Sequence, residues 1–203
     1  RGRIWRIVYK GTAEAPIKLP EIVDRTRSTV PMLVDDLASP NLTVRTMATN
    51  QLVERGGDEA TSSLLSLLKS DAPAHQRVHG LWVLRRTGKL DDSLLTAAAH
   101  DPSRELRIHA MKTLLDRPGL PDAIHDLVLA GLSDPDAFVR QASAETLANH
   151  PASGNIPPLL KARQSADPKD THLVHALRIA LRDQLQSDDA WRQLDSLSLS
   201  EQD

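Results

Sequence analysis

From Ser28 onward, apolar residues recur at the spacing of one helix face, and this pattern is itself repeated. Val44, Ala48 and Leu52 lie four residues apart, which places their side chains on one side of a helix. In each unit, a pair of adjacent apolar residues precedes a helix of this kind. Leu64 and Leu65 are the pair of the second unit. Each unit is therefore predicted to consist of two helices, a first helix and a second helix.

A seven-residue near-repeat marks the junction between the two helices of every unit. These anchor stretches occupy residues 39–45, 71–77, 101–107, 134–140 and 167–173, and their starts lie 32, 30, 33 and 33 residues apart. Helix pairs that recur every ~30–47 residues are typical of α-solenoids. The sequence therefore predicts an all-α superhelix of about five helix pairs.

One column of the second helices holds only small residues. It comprises Ala48, Gly80, Ala110, Ser143 and Ala176. Because large side chains at these positions would hold neighbouring helices apart, the column predicts close helix–helix approach.

The anchor stretch has a chemical interpretation of its own. It begins with Asp or Ser, which we expect to cap the second helix, and Pro usually follows at the expected first helical position. Six residues after the first position comes an arginine, in four of the five copies. We expect each arginine to reach the aspartate that opens the next anchor stretch, forming a ladder between repeats. Its members would be Arg45, Arg77, Arg107 and Arg140 with Asp71, Asp101, Asp134 and Asp167.

The alternative to the ladder is an arginine solvated near a helix start. An exposed ion pair of that kind contributes only ~0–1 kcal/mol. In the fifth repeat Leu173 replaces the arginine, so the ladder is expected to weaken there.

The ends of the chain differ from the repeats. Residues 1–10 alternate like a β-strand whose sheet is expected upstream, and residues 11–27 form a polar connector. The solenoid is assigned to residues 28–186, and residues 187–203 to the start of a truncated further helix. We therefore expect these 203 residues to be a piece of a longer protein.

Composition narrows the possible functions. The chain is 40% apolar but only 2% aromatic, so leucine, alanine, valine and isoleucine must build the core. A net charge of −2 gives no global basic field for nucleic acid or acidic membranes. Cysteine is absent from the sequence, which excludes disulfides and thiolate metal sites. No run reaches the ~18–20 apolar residues of a membrane span.

Histidine pairs are the main candidates for chemistry. His75 and His79 lie four residues apart, and His172 and His175 lie three apart, so either pair could present two ligands to a metal. However, no third ligand is evident. His79, His109 and His175 also share one repeat position, which Met and Ala occupy in the other two repeats. A packing role is favoured, and a histidine metal site in an enzyme domain of this helical-repeat kind is the alternative.

Other chemistry is less well supported. Basic residues are scattered among acids, and few aromatic residues are available to stack on bases, so nucleic-acid binding is not favoured. Phosphate-binding and nucleophile motifs are absent from the sequence. We expect a non-catalytic scaffold without a cofactor, which contacts another protein or other domains of its own chain. Its concave face would be lined by second helices and would include His79, Arg86, His109 and Lys112.

The anchor stretch, with its Asp-Pro, its apolar-Arg pair and a small residue three positions later, resembles HEAT repeats of the short bacterial kind. The resemblance covers Ser28 to about Leu185 and is strongest at residues 39–48, 101–110 and 134–143. It implies a helical-repeat solenoid that acts as a scaffold or an interaction surface.

Three segments are similar to a larger family. The opening GRIWRIVYKG resembles the closing strand of a β-propeller of the soluble sugar-dehydrogenase type. SPNLTVRTMATNQLVERG and HGLWVLRRTGKLDDSLL resemble the helical segment that follows this propeller in planctomycete-type membrane-bound dehydrogenases. Those large exported proteins end in a haem-binding domain with a CxxCH motif. The resemblance implies a periplasmic or cell-surface parent that oxidises a sugar or alcohol, with this segment as the spacer between propeller and haem domain. The alternative is a free-standing HEAT-repeat binding protein.

Overall fold

Ten α-helices account for most of the chain described by the computed structural model, which covers residues 11–12, 23–186 and 190–192. The first helices are α1 (Val30–Asp36), α3 (Gly57–Leu68), α5 (Asp92–Ala99), α7 (Asp122–Gly131) and α9 (Ile156–Ser165). The second helices are α2 (Leu42–Arg55), α4 (Ala74–Arg86), α6 (Arg104–Lys112), α8 (Ala137–Asn149) and α10 (Thr171–Gln184). Short 3₁₀ turns lie at Arg25–Arg27 and Ser153–Asn155.

The helices form two layers. Each first helix packs on the second helix of its own pair, and the second helices contact one another in the order α2, α4, α6, α8 and α10. In the other layer, α1 packs against α3 and α5 against α7. This arrangement confirms the predicted all-α solenoid of five helix pairs. The predicted strand at residues 1–10 lies outside the described residues, as do most of the connector and most of residues 187–203.

The apolar pairs of the first helices supply the core. Every pair contributes a residue with at most 2% of its surface exposed, namely Leu33, Leu64, Leu95, Val128 and Leu159. Two clusters of buried residues meet at α4, where Leu81 belongs to the C-terminal cluster and Val83 and Leu84 to the N-terminal one. Because α4 contributes buried residues to both clusters, the core continues from the first repeat to the last.

The column of small residues lies at close helix contacts. All five members are buried. A methyl group added to Gly80 would lie 3.2 Å from Leu67 Cδ2, and one added to Gly131 on α7 would collide with the Ser143 hydroxyl. The predicted close approach is therefore present at Gly80 and at Ser143.

The second helices begin later than predicted. Their side-chain caps are Asn41, Asp136 and Asp170, two or three residues beyond the start of the anchor stretch. Asp101 and Asp134 instead accept the backbone N–H two residues ahead, at 2.8 Å in both cases. An aspartate bonded in this way closes a turn before the helix, so the predicted capping role was wrong, as was the placement of Pro at the first helical position.

A buried polar network fixes the entry to the fifth pair. The Gln184 side-chain oxygen accepts bonds from Ala152 N and Asn155 Nδ2, at 2.8 and 2.9 Å. Its amide nitrogen donates to Leu147 O at 3.0 Å, which links α10 to α8. Both amide side chains are buried, and partnered buried polar groups hold a loop in one arrangement. The segment before α9 is thereby tied to the second-helix layer.

Candidate interaction surface

Two rungs of the expected ladder are present as forked ion pairs. Arg77 Nη1 and Nη2 bind the Asp101 carboxylate at 2.6 and 3.3 Å. Arg107 Nε and Nη2 bind Asp134 at 2.9 and 3.1 Å. The four side chains are only 12–15% exposed, so these pairs are shielded from water far more than an ordinary surface pair.

Arginines at this repeat position also hold the turn of their own anchor stretch. Arg107 Nη1 donates to the carbonyls of Asp101 and Pro102 at 3.0 and 3.1 Å, and Arg140 Nη1 does the same to Asp134 and Pro135 at 2.7 and 3.1 Å. An arginine at this position therefore holds the turn of its own repeat with one nitrogen. The remaining N–H groups are available to the next repeat.

The other two expected rungs are missing from the described part of the chain. Arg45 Nη1 donates to Ser39 O at 2.7 Å, but its Nε donates to His79 Nε2 at 3.2 Å rather than to Asp71. Arg140 forms no ion pair with Asp167, and its Nη1 donates instead to the carbonyls of Asp134 and Pro135. The pairings of Arg45 with Asp71 and of Arg140 with Asp167 were therefore wrong.

The Asp134 carboxylate is held in its charged form. Burial alone would raise the pKa of Asp134, but the hydrogen bonds from Arg107 and from the Asp136 N–H outweigh burial and hold the pKa below its usual value. The pKa of Arg107 is raised in turn, chiefly by its hydrogen bond to Asp134. This rung is thus a charged pair at neutral pH.

His79 bridges α2 and α4 with both ring nitrogens. Nε2 accepts from Arg45 Nε, and Nδ1 lies 2.9 Å from Thr49 Oγ1. The Thr49 hydroxyl already donates to Arg45 O, so His79 Nδ1 must donate to it and the ring is neutral. Burial, followed by the charge of Arg45, lowers the pKa of His79.

His109 makes the equivalent link between α4 and α6. Trp82 Nε1 donates to its Nδ1 at 3.0 Å, and the two rings meet edge to face with centroids 6.1 Å apart. Burial, followed by the charge of Lys112, lowers the pKa of His109. The pairing of Trp82 with His109 was not predicted. Their separation of 27 residues, close to one repeat, was the only signal in the sequence.

The remaining candidate residues are dispersed. Arg86 Nη1 donates to Asn50 Oδ1 at 2.8 Å, and the His75 ring contacts Ala38 O at 3.2 Å. His172 and His175 are exposed on α10. Within residues 11–12, 23–186 and 190–192, no group of three or more histidine, aspartate or glutamate side chains has the geometry of a metal site.

A groove runs across the surface of α6, α8 and α10. It consists of two hollows of about 490 and 420 Å³, both lined by Gln141, Glu145 and His172. Lys112 and Phe138 lie at one end and His175 at the other. We call this feature the second-helix groove. Phe138 is 56% exposed, and the guanidinium carbon of Arg104 lies 5.4 Å from its ring centroid. The groove therefore combines apolar surface with charges of both signs.

Comparison with known families identifies the class of repeat. Residues 92–182, which span α5 to α10, match the model described as HEAT repeats. This part of the chain is therefore similar to HEAT repeats, in line with the resemblance that its anchor stretches indicated. HEAT repeats form helical scaffolds, commonly mediate protein interactions and are generally non-enzymatic.

No curated protein matches the chain. Among solved structures, the crystal structure of an engineered protein gives a TM-score of 0.43 at 18% identity, covering 76% of this chain and 78% of that one. In the described segments, none of the helices has both the length and the apolar character needed to cross a bilayer.

Proposed function

We propose that this segment is a non-catalytic scaffold that holds a protein partner in the second-helix groove. The observation that carries the proposal is the groove itself, which three successive second helices build together. Phe138 offers an exposed aromatic anchor at one end, and aromatic residues are enriched at the energetic centres of protein interfaces. Gln141 and Glu145, whose side chains bond each other at 2.7 Å, supply polar groups to the groove.

Site-specific photo-crosslinking in the native organism tests this proposal. A photoreactive amino acid at Gln141 should give a discrete cross-linked species of higher mass. The same amino acid at Asp126, exposed on α7 in the other layer, is the matched control and should not. Changing Ile179 in the groove to Arg should abolish the product at Gln141. Equal cross-linking at both positions, or none at Gln141, would contradict the proposal.

We further propose that the scaffold is a spacer between a dehydrogenase-like propeller and a haem c domain in an exported parent. Its support is the resemblance of residues 2–11, 39–56 and 79–95 to that family. The test is the intact mass of the protein as its organism makes it. A mass far above 22.3 kDa, with haem on the same polypeptide, is expected. A mass near 22.3 kDa would instead leave a free-standing HEAT-repeat binding protein.

A further inference from the structure

Arg140 ends the ladder with part of its guanidinium unused. Its Nη1 holds the two carbonyls of its own anchor stretch, as Arg107 does. Across the residues that the structure describes, no carboxylate lies within ion-pair distance of Arg140. Arg77 and Arg107 occupy the same repeat position, and each grips a carboxylate with two nitrogens. Arg140 therefore has the groups for such a contact, and none of the described residues provides a carboxylate partner for it.

Arg140 lines a cleft that carries an excess of positive charge. The cleft between α7 and α9 has a volume of about 720 Å³, within the ~300–1,000 Å³ that is usual for ligand sites. Arg140 and Lys161 line it together with one acid, Asp134, whose carboxylate Arg107 already neutralises. The other walls are largely apolar and include Leu129 and Pro157. A single small anion would leave most of this volume empty.

We propose that the α7–α9 cleft binds an acidic peptide segment of another protein. An aspartate or glutamate of that segment takes the place that the next repeat's aspartate takes at Arg77 and Arg107. Arg140 binds this carboxylate as a fork, and Lys161 adds a second positive charge. Leucine and proline side chains of the walls receive the apolar part of the peptide. This site is separate from the second-helix groove, so a negative result at one site does not contradict the proposal for the other.

Nuclear magnetic resonance of the arginine Nε–H groups provides a direct test. The probe is a synthetic blocked pentapeptide with the sequence of residues 133–137, which reproduces the turn that Arg107 grips. We expect a saturable shift of the Arg140 Nε–H signal. The Arg107 signal is the internal control and should stay fixed, because its Nε already donates to Asp134. Lys161→Gln should weaken binding about threefold, and Arg140→Lys should weaken it about tenfold or more.

A second pair of variants avoids disturbing the Arg140 turn. Ser165 is exposed and lines the same cleft, so a charge can be placed there without loss of packing. Ser165→Glu should occupy Arg140 internally and reduce peptide binding several-fold, whereas Ser165→Gln should leave it unchanged. Equal binding by these two variants, no saturable shift at Arg140, or a matching shift at Arg107 would overturn the proposal. Displacement of the peptide by a lower concentration of inorganic phosphate would overturn the peptide as ligand.

Discussion

Asp134 is a single residue that serves two repeats. Its carboxylate accepts bonds from Arg107 of the preceding anchor stretch and from the Asp136 N–H of its own. Its carbonyl accepts from Arg140. Since one residue thereby fixes both the turn and the inter-repeat contact, losing its partner should disturb more than one bond.

Replacing Arg107 with alanine tests how much the Arg107–Asp134 ion pair contributes to the free energy of unfolding. Arg107→Ala should lower the free energy of unfolding by about 2 kcal/mol, because it leaves a shielded carboxylate without its charged partner. Urea unfolding measures the change. Arg104→Ala, on the same helix, is the control: Arg104 is 53% exposed and pairs with Asp136, so its loss should cost ~0–1 kcal/mol. Equal costs for the two variants would show that the rung is no stronger than a surface pair.

Acid should remove the contribution of the same rung. Asp134 has a lowered pKa in the folded protein, so its stabilisation is complete above the ~3.9 expected of an unfolded aspartate. It is lost as the pH falls through the folded pKa. The difference in unfolding free energy between wild type and Arg107→Ala should therefore shrink on going from neutral pH to about pH 2–3. A constant difference would show that the carboxylate is not responsible.

At the scale of elements, the contact between α7 and α8 depends on the absence of one side chain. Gly131→Ala should destabilise the protein by about 1–3 kcal/mol through overpacking against Ser143. This should occur although alanine favours helix by up to ~1 kcal/mol. Thermal and urea unfolding measure the change. Gly119→Ala is the control, since nothing lies within 4 Å of its added methyl group, and Ser143→Gly should partly rescue Gly131→Ala.

The hydrogen bonds that His79 and His109 form between second helices predict that the stability of the protein falls at mildly acidic pH. His79 and His109 both have lowered pKa values, so the folded protein binds fewer protons than the unfolded chain below about pH 6.5. Stability should accordingly fall from pH 7.5 to 5. The double variant His79→Gln, His109→Gln should flatten this slope, because an amide oxygen can still accept from Arg45 and Trp82.

The control for this measurement is His100→Gln. His100 is exposed at the end of α5, and its ring contacts Thr96 O rather than a second helix, so its replacement should not reproduce the effect of the double variant. A double variant as pH-sensitive as wild type would mean that other groups carry the dependence.

The helices were predictable because their signals are local and repeated. Adjacent apolar pairs and the column of small residues need only the helix period to be interpreted, and they indicated both layers correctly. The caps were misplaced because an aspartate side chain can bond either a helix N–H or a turn N–H, and sequence spacing does not distinguish the two. At Asp101 and Asp134 the side chain accepts from the N–H of the turn.

The contacts between repeats were less predictable. A separation of 27 residues joins Arg107 to Asp134 and equally separates Arg140 from Asp167, yet only the first pair meets. Ahead of the fifth pair, a buried network of Asn155 and Gln184 holds the loop that leads into α9. Such a network depends on side chains brought together by the fold, which no local pattern contains.

At the scale of the whole molecule, the two core clusters predict stepwise opening. In the described part of the chain, the extensive contacts of each repeat are with its neighbours, so a local defect should spread through its own cluster first. Leu147→Ala, at a fully buried position of α8, should cost about 2–5 kcal/mol. Hydrogen exchange should then accelerate more in α6–α10 than in α1 and α2.

Leu52→Ala provides the mirror-image control for stepwise opening. Leu52 is equally buried but lies in the N-terminal cluster, so exchange should accelerate mainly in α1–α3. A uniform increase along the chain in both variants would show that the solenoid opens as one cooperative unit.

An anchor stretch that forms ion pairs with the repeats on both sides also determines how repeats can be added to the chain. The stretch opened by Asp101 receives an arginine from the repeat before it and offers Arg107 to the repeat after it. A tandem duplication of residues 101–133 would therefore produce a copy that carries both halves of the joint. Lengthening by a whole unit should preserve every rung on either side, whereas an insertion of half a unit would leave an aspartate and an arginine facing the wrong neighbours. The central part of this solenoid is thus suited to growth by whole-repeat duplication.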